Sequence, residues 1–390
     1  MPVNLPGPAG VVSPLELINR GCRTISVDKR VRIGGIIAAV AISIIIITSP
    51  GEPLPLPRPT TTSSGSGSVD VLATGLDEPR HLAFYGDRVF LTEKAGRVRV
   101  VQDDVLLEEP LAVLRVADEL DSGLLGIAVH PDFGENHKLY VYHSYIEDGA
   151  AWNRILQITE RDNKLEDAET VLDKIPGSRF SNGGVIKFGP DGKLYVGTGS
   201  VSDTLHLSQE MDSLGGKILR INDDGSIPSD NPFEGSPVYS LGHRDPQGMA
   251  WSSDGTMYAS DLGPSKNDEI NVIIPGGNYG WPDHECSGGG YEDSILCFDP
   301  AIEPGGLVVY SGEQLEFGGS LIMTSLRVGS LYGFDPTDGG LEDRQSILAG
   351  LGRIRDVDEG PDGYLYALTS NTDGRGFPDR TDDKLLRVIR

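Results

Sequence analysis

A chain of 390 residues with 51 Gly, 26 Pro, 7% aromatic residues and a formal charge of −25 points to a turn-rich, all-β protein of one large domain or two ordinary ones. That acidity argues against any nucleic-acid partner, because phosphate binding needs clustered Lys and Arg. It suits a soluble face in a salty or calcium-containing medium.

The N-terminus departs from this acidity. Residues 1–32 carry Arg20, Arg23, Lys29, Arg30 and Arg32 against Glu16 and Asp28, and the uncharged run 33–49 follows directly. A helix of that length rises roughly 25 Å, enough to cross the apolar core of a bilayer. The basic flank stays in the cytoplasm, which sends the remainder outside. A buried core helix and a cleaved signal peptide are the alternatives. The long polar lead and the lack of an A-x-A site favour an uncleaved signal anchor. Residues 50–68 are Pro-rich, then Thr/Ser/Gly-rich, and read as a disordered stalk. The expected organisation is a basic cytoplasmic segment, a single transmembrane helix, this linker, and a folded extracytoplasmic body over 69–390. Cys22 falls on the cytoplasmic side, whereas Cys286 and Cys297 share "ECSGGGYEDSILC". If the body sits in an oxidising compartment, these two close a short loop worth about 3 kcal/mol; two free thiols are the alternative.

Within the body, a turn-plus-strand unit recurs six times. Its aromatic is Phe90 in "YGDRVFLTE", Tyr140 in "GENHKLYVYH", Tyr195 in "GPDGKLYVGTG", Tyr258 in "SSDGTMYASD", Tyr332 in "RVGSLYGFD" and Tyr366 in "GPDGYLYALTS". A Gly, Asp or Asn turn precedes a short strand with an aromatic on one face, as hairpin chemistry requires. Blades of about 50 residues predict a six-bladed β-propeller, with a pair of β-sandwiches as the alternative. Intervals between the aromatics run from 34 to 74 residues, so loops of unequal length interrupt a constant unit. Ligands of such a fold meet the end of the central channel, where loops converge.

Four segments stand outside the blade pattern. In "DSGLLGIAVHPDF" (121–133) Asp121 heads a turn, Gly123 and Gly126 allow close backbone approach, and His130 before Pro131 supports the turn. "LGHRDPQGMAW" (241–251) crowds His243, Arg244, Asp245 and Gln247 into a stiff loop, which needs a ligand or mutual pairing unless it is a surface turn. "SDLGPSKNDEINVIIPGGNYGWP" (260–282) offers backbone carbonyls with the carboxylates of Asp268 and Glu269, a mixed oxygen set of the kind calcium takes. In "GLGRIRDV" (350–357) Arg353 and Arg355 alternate, so one strand face can clamp an anion with several carboxylates.

The ordered segments "GLLGIAVHPDF", "NGGVIKFGPDGKLYVGTG", "GGKILRINDDGSIPSDNPF", "VYSLGHRDPQG", "DEINVIIPGGNYGWP" and "GLGRIRDV" resemble the soluble quinoprotein glucose/sorbosone dehydrogenases. The resemblance implies a propeller that binds pyrroloquinoline quinone and calcium at the channel mouth and oxidises an aldose C1 hydroxyl to a lactone. It assigns cofactor contacts to Arg244 and to Asp245, where the family usually has Asn. It assigns calcium-binding carbonyls to Gly263 and Pro264, and carboxylate contacts to Arg353 and Arg355. Arg327 falls where the family has Lys, and Asp121 where it has Glu or Gln. The family's general base, a His in Asn-His-Asn-Gly-Gly, is here Ser181 in Phe180-Ser181-Asn182-Gly183-Gly184. A Ser hydroxyl cannot take a proton near neutral pH unaided, and losing a base costs about 10²- to 10⁴-fold in rate. Thr198-Gly199-Ser200 and Leu262 also depart from the family pattern, leaving His243 and His206 as substitute bases. The expected function is therefore a membrane-anchored sugar or alcohol dehydrogenase. A non-catalytic propeller binding a carbohydrate or protein is the alternative, and a metal-dependent lactone hydrolase a more distant one.

Overall fold

The computed structural model describes residues 67–389 except 203, 338–339 and 344–345. The expected basic segment, the anchor and nearly all of the stalk lie outside the described residues. Among the described residues no helix is long and apolar enough to cross a membrane.

Six antiparallel sheets follow one another along the chain, each beginning with its innermost strand. These innermost strands are Pro79–Tyr85, Leu124–Val129, Gly183–Phe188, Pro246–Trp251, Pro304–Val309 and Ile354–Glu359, which head blades 1 to 6. Each touches the next, and the last touches the first, so the ring is closed. The closure is made by the chain's own start: Val69–Thr74 pairs with Lys384–Val388 as the outermost strand of blade 6. No sheet edge remains between the first and last blades, which removes the pairing hazard of an open array.

Why these segments become blades is visible in the hairpins. In "GPDG", Asp191 Oδ1 accepts the Lys193 N–H at 3.1 Å and Oδ2 accepts the Tyr195 hydroxyl at 3.1 Å. Asp362 repeats both contacts with Tyr364 and Tyr366 at 3.2 and 3.0 Å. The Asp sets the turn and the aromatic four residues on covers it. Five of the six marker aromatics lie on second strands; in blade 5 the second strand, Leu321–Ser325, has none, and Tyr332 lies on the third strand, Ser330–Thr337. The uneven final intervals therefore reflect a displaced marker as well as inserted loops.

The core is divided into six layers, one between each pair of neighbouring blades. Phe90, Val98, Leu139 and Val141 fill the layer between blades 1 and 2. Ile322, Leu331, Val357 and Leu365 do the same between blades 5 and 6, and Leu82, Val89, Leu368 and Leu385 between blades 6 and 1. A blade is apolar on both faces, so it is stable only with a neighbour on each side. Near the channel the blades approach too closely for side chains. A Cβ on Gly126 would stand 2.0 Å from the Gly184 carbonyl oxygen, which is why glycine occupies that position.

One buried cation ties the long loop of blade 3 to its sheet. Lys217 is fully buried, and Nζ donates to the carbonyls of Leu207, Ser208 and Gly215 at 2.6, 3.0 and 2.7 Å. Lys217→Met strands three carbonyls, each worth about 1–3 kcal/mol when left unpaired. Its urea midpoint is expected to fall by the equivalent of at least about 3 kcal/mol; a change below about 0.5 kcal/mol would show that the loop is held elsewhere.

Candidate active site

All six innermost strands have a register break near their N-terminal ends: Pro79/Leu82, Leu124/Ile127, Gly183/Ile186, Pro246/Gly248, Pro304/Leu307 and Ile354/Asp356. A bulge re-aims side chains and releases backbone from the ladder. Six of them around one channel end make a cleft with side chains from every quarter. Blade 6 supplies Arg353 and Arg355, blade 1 Arg80 and His81, and blade 4 Gln247 with Asp245 just before it. Asp121, Asn182, Gly183, Glu303 and Arg375 complete its polar wall, and Leu125, Leu262 and Leu326 its apolar one.

The arginines differ in how they are satisfied. Arg353 is buried and answered: Nε donates to Asp373 at 2.7 Å, and Nη1 lies 3.0 Å from Glu303. Arg355 is buried, yet among the described residues its one hydrogen bond runs from Nη1 to Gln247 Oε1 at 3.5 Å, and its Nε has no partner. Burial, then the nearby Arg80 charge, pull the Arg355 guanidinium down to about 9, against the raising pull of Asp373 and with Arg353 adding to the effect. Arg80 is also buried with an unpartnered Nε, its nearest carboxylate, Glu78, being 3.9 Å away. A buried guanidinium without a counter-anion is unstable. Among the described residues Arg355 has no direct ion pair, and a carboxylate-bearing ligand in the cleft would supply one.

Opposite these arginines lies Asp245. Its Oδ1 accepts the Gly183 N–H at 2.7 Å, and its own N–H donates to Asp261 at 2.6 Å. Burial raises its carboxyl to about 7, against the lowering pull of Arg244 and of the Gly183 N–H. This bond joins the expected cofactor loop to the loop of Ser181. Ser181 itself is buried at φ 55°, with Asn182 fastened beside it by Asn153 and Ser178. The loop is a rigid frame in which the hydroxyl is not among the groups lining the cleft.

The remaining expected residues are placed unequally. Asp121 is at the cleft, 3.3 Å from Arg375. Arg327 stands behind it, bound to Glu303 at 2.9 Å. Arg244 crosses the Trp281 ring at 5.6 Å and donates from Nη1 to the Leu262 and Gly263 carbonyls at 2.6 and 2.9 Å. The Gly263 carbonyl that calcium was expected to use is therefore capped by a guanidinium, and Pro264 beside it is exposed. Asp268 gives Oδ1 to the Gly263 N–H and Oδ2 to those of Ile302 and Glu303. Glu269 accepts from Cys286 and Asn271. Both carboxylates hold loops, and no cluster of three acidic, His or Cys ligands exists among the described residues. As arranged, these groups do not fit a calcium ion. Cys286 and Cys297 are joined in a disulfide with Cα atoms 5.7 Å apart.

Neither substitute base reaches the cleft. His206 is exposed on a short 3-10 turn beside Glu210. His243 is buried, stacked on Tyr279 at 4.7 Å, with Nε2 2.8 Å from Ser240 Oγ and Nδ1 3.3 Å from Asp261. His130 accepts the Asp132 N–H and so supports its turn. Sequence reading missed Arg80, His81, Glu303, Asp373 and Arg375. The available signal was positional: "PRH" opens the first innermost strand, as "GRIRD" opens the last.

These features define a six-bladed propeller with an anion-seeking cleft at one end of its channel. The chain belongs to the glucose / sorbosone dehydrogenase family, which matches residues 76–387. It is 32% identical over 344 residues to the aldose sugar dehydrogenase YliI of Escherichia coli, covering 78% of this chain and 91% of that protein. The solved structure of the PQQ-bound aldose sugar dehydrogenase of Streptomyces coelicolor is 36% identical, with a TM-score of 0.75 over 83% of this chain and 98% of that one. The human Hedgehog-interacting protein is 31% identical over 216 residues, 46% of this chain and 31% of that protein.

Proposed function

We propose that this protein is a quinone-dependent aldose dehydrogenase, held outside the cytoplasmic membrane by residues 33–49, that binds pyrroloquinoline quinone in the cleft. The observation that carries this reading is Arg355, buried and without a carboxylate, next to Arg80 and Arg353. Arg355 and Arg80 take the carboxylates of the cofactor, while Glu303 and Asp373 hold Arg353 in place. Leu125, Leu262 and Leu326 shed water from the cleft, which strengthens these charge pairings. When bound, the quinone supplies the acceptor for a hydride, so that C1 of the sugar loses two electrons and its hydroxyl proton passes to a base of the protein.

A second reading, a propeller that binds a carbohydrate or protein without turnover, draws on the burial of Ser181 at the place where the family resemblance puts a base. The Hedgehog-interacting protein, which its name describes as a binding partner, is a relative consistent with that use of the fold.

The test is a titration of the purified full-length chain with pyrroloquinoline quinone, followed by dye reduction with a panel of aldoses. Tight uptake and aldose-dependent reduction are expected; uptake without reduction favours the binding module, and no uptake refutes the dehydrogenase reading. Calcium enters through the resemblance, and Arg244 must release the Gly263 carbonyl before the ion can use it. With the guanidinium in place, chelation by EDTA is expected to weaken uptake less than tenfold. A loss of a hundredfold or more would show that Arg244 moves aside for the ion.

A further inference from the structure

The reaction above needs a proton acceptor, and neither Ser181, His206 nor His243 offers one to the cleft. We propose that His81, positioned by Asp356, is the general base of this site. The proposal rests on the dehydrogenase reading and completes it.

His81 is the one imidazole among the described residues that lines the cleft. It is the third residue of the innermost strand of blade 1, inside the bulge between Pro79 and Leu82. In a regular strand, neighbouring side chains face opposite ways; here the bulge lets Arg80 and His81 both line the cavity. Nδ1 of His81 lies 3.4 Å from Asp356 Oδ2, and the two side chains are only 12% and 8% exposed. The same Oδ2 accepts the Leu82 N–H at 2.9 Å, so Asp356 is fixed by the backbone next to the ring it orients. The His81 N–H is tied to Thr92 Oγ1 at 3.2 Å, and Thr92 in turn donates to the Leu125 carbonyl of blade 2 at 2.6 Å. The backbone is thus held and Nδ1 faces Asp356, and Nε2 is assigned to the reactant. A base oriented by a carboxylate is the arrangement proton abstraction requires.

Asp245 is the competing group in the cleft. Its Oδ1 is committed to Gly183, and no third group orients its other oxygen among the described contacts. The charged groups that face His81 are Asp356, Asp121 at the cleft, Asp358 in the channel, Arg80 and Arg355, with Lys187 paired to Asp358. In the step itself, the sugar O–H bond breaks and its proton goes to His81 Nε2. A quinone bound there would accept the C1–H electron pair as hydride, so that the products would be lactone, the anionic reduced quinone and imidazolium.

The full-length protein and its His81→Gln and Asp356→Asn variants test this through two readouts. In the cofactor-free protein, the ¹⁵N-histidine NMR signals that disappear in His81→Gln should change their Nδ1 and Nε2 shifts in Asp356→Asn. With the quinone loaded, His81→Gln should lower kcat for aldose oxidation by 10²- to 10⁴-fold and remove the acid limb of the pH profile, with cofactor affinity within about threefold of wild type. An imidazole indifferent to Asp356→Asn, or a His81→Gln enzyme of undiminished kcat, overturns the assignment alone. An acid limb lost in Asp245→Asn but kept in His81→Gln moves the role to Asp245. A wild-type chain that takes up no quinone overturns the dehydrogenase reading and this base together.

Discussion

Arg355→Met is expected to weaken pyrroloquinoline quinone binding by about 10²- to 10³-fold while making the cofactor-free protein more stable. The two effects have one cause. Arg355 is buried with an unpartnered Nε, held by a single long hydrogen bond to Gln247, and sits beside the like charge of Arg80. In the free protein it is a buried charge without a direct ion pair among the described residues, and replacing buried charges by apolar side chains of similar size tends to stabilise by about 1–4 kcal/mol. With a carboxylate opposite, the same guanidinium makes a desolvated charge pair, whose truncation costs about 2–5 kcal/mol of affinity. Thermal denaturation without cofactor and equilibrium titration with it measure the two halves. Lower stability and unchanged affinity in Arg355→Met would show that the guanidinium serves only the fold.

Asp245→Asn is expected to stabilise the protein in a strongly pH-dependent way. Burial raises the carboxyl from an ordinary value near 3.8 to about 7. Between those pH values the folded chain holds a proton that the unfolded chain has released, so wild-type stability falls as pH rises. The contribution is fully present below about pH 4 and lost by about pH 8, and a rise of that size corresponds to at most about 4 kcal/mol. Asn keeps an oxygen for the Gly183 N–H and carries no charge, so it is exempt from this loss. Urea unfolding should place the variant close to wild type at pH 4 and above it at pH 8 by up to about 4 kcal/mol. A constant offset across that range would mean that Asp245 does not titrate with folding.

The propeller was legible in the sequence because its hairpins are local: "GPDG" with an aromatic four residues past the Asp is a turn and its cover, repeated. Tyr332 misled for the same reason, since a turn-plus-aromatic can mark any hairpin of a blade, and blade 5 carries it one strand late. Arg353 and Arg355 were legible as alternating charges in a short strand. Arg80 and His81 were not, because adjacent residues face one cleft only through a bulge, and a bulge leaves no signature in composition or period. The loop carbonyls near Gly263 were expected to be open acceptors, but Arg244, about twenty residues earlier in the chain, folds back to claim that of Gly263. Likewise Asp268 and Glu269 resemble free ligands as text; in the structure Asp268 is consumed by backbone N–H groups of neighbouring loops, and Glu269 by the Cys286 N–H and the Asn271 side-chain amide.

The most direct measurement is a single turnover without oxygen: the full-length chain is loaded with one equivalent of pyrroloquinoline quinone, an aldose is added, and the absorption of the bound cofactor is followed. Conversion to the reduced quinone, faster as pH rises through the titration of the base, is the expected result. A cofactor that binds tightly and stays oxidised with every aldose offered would contradict the dehydrogenase reading and leave a propeller that only binds.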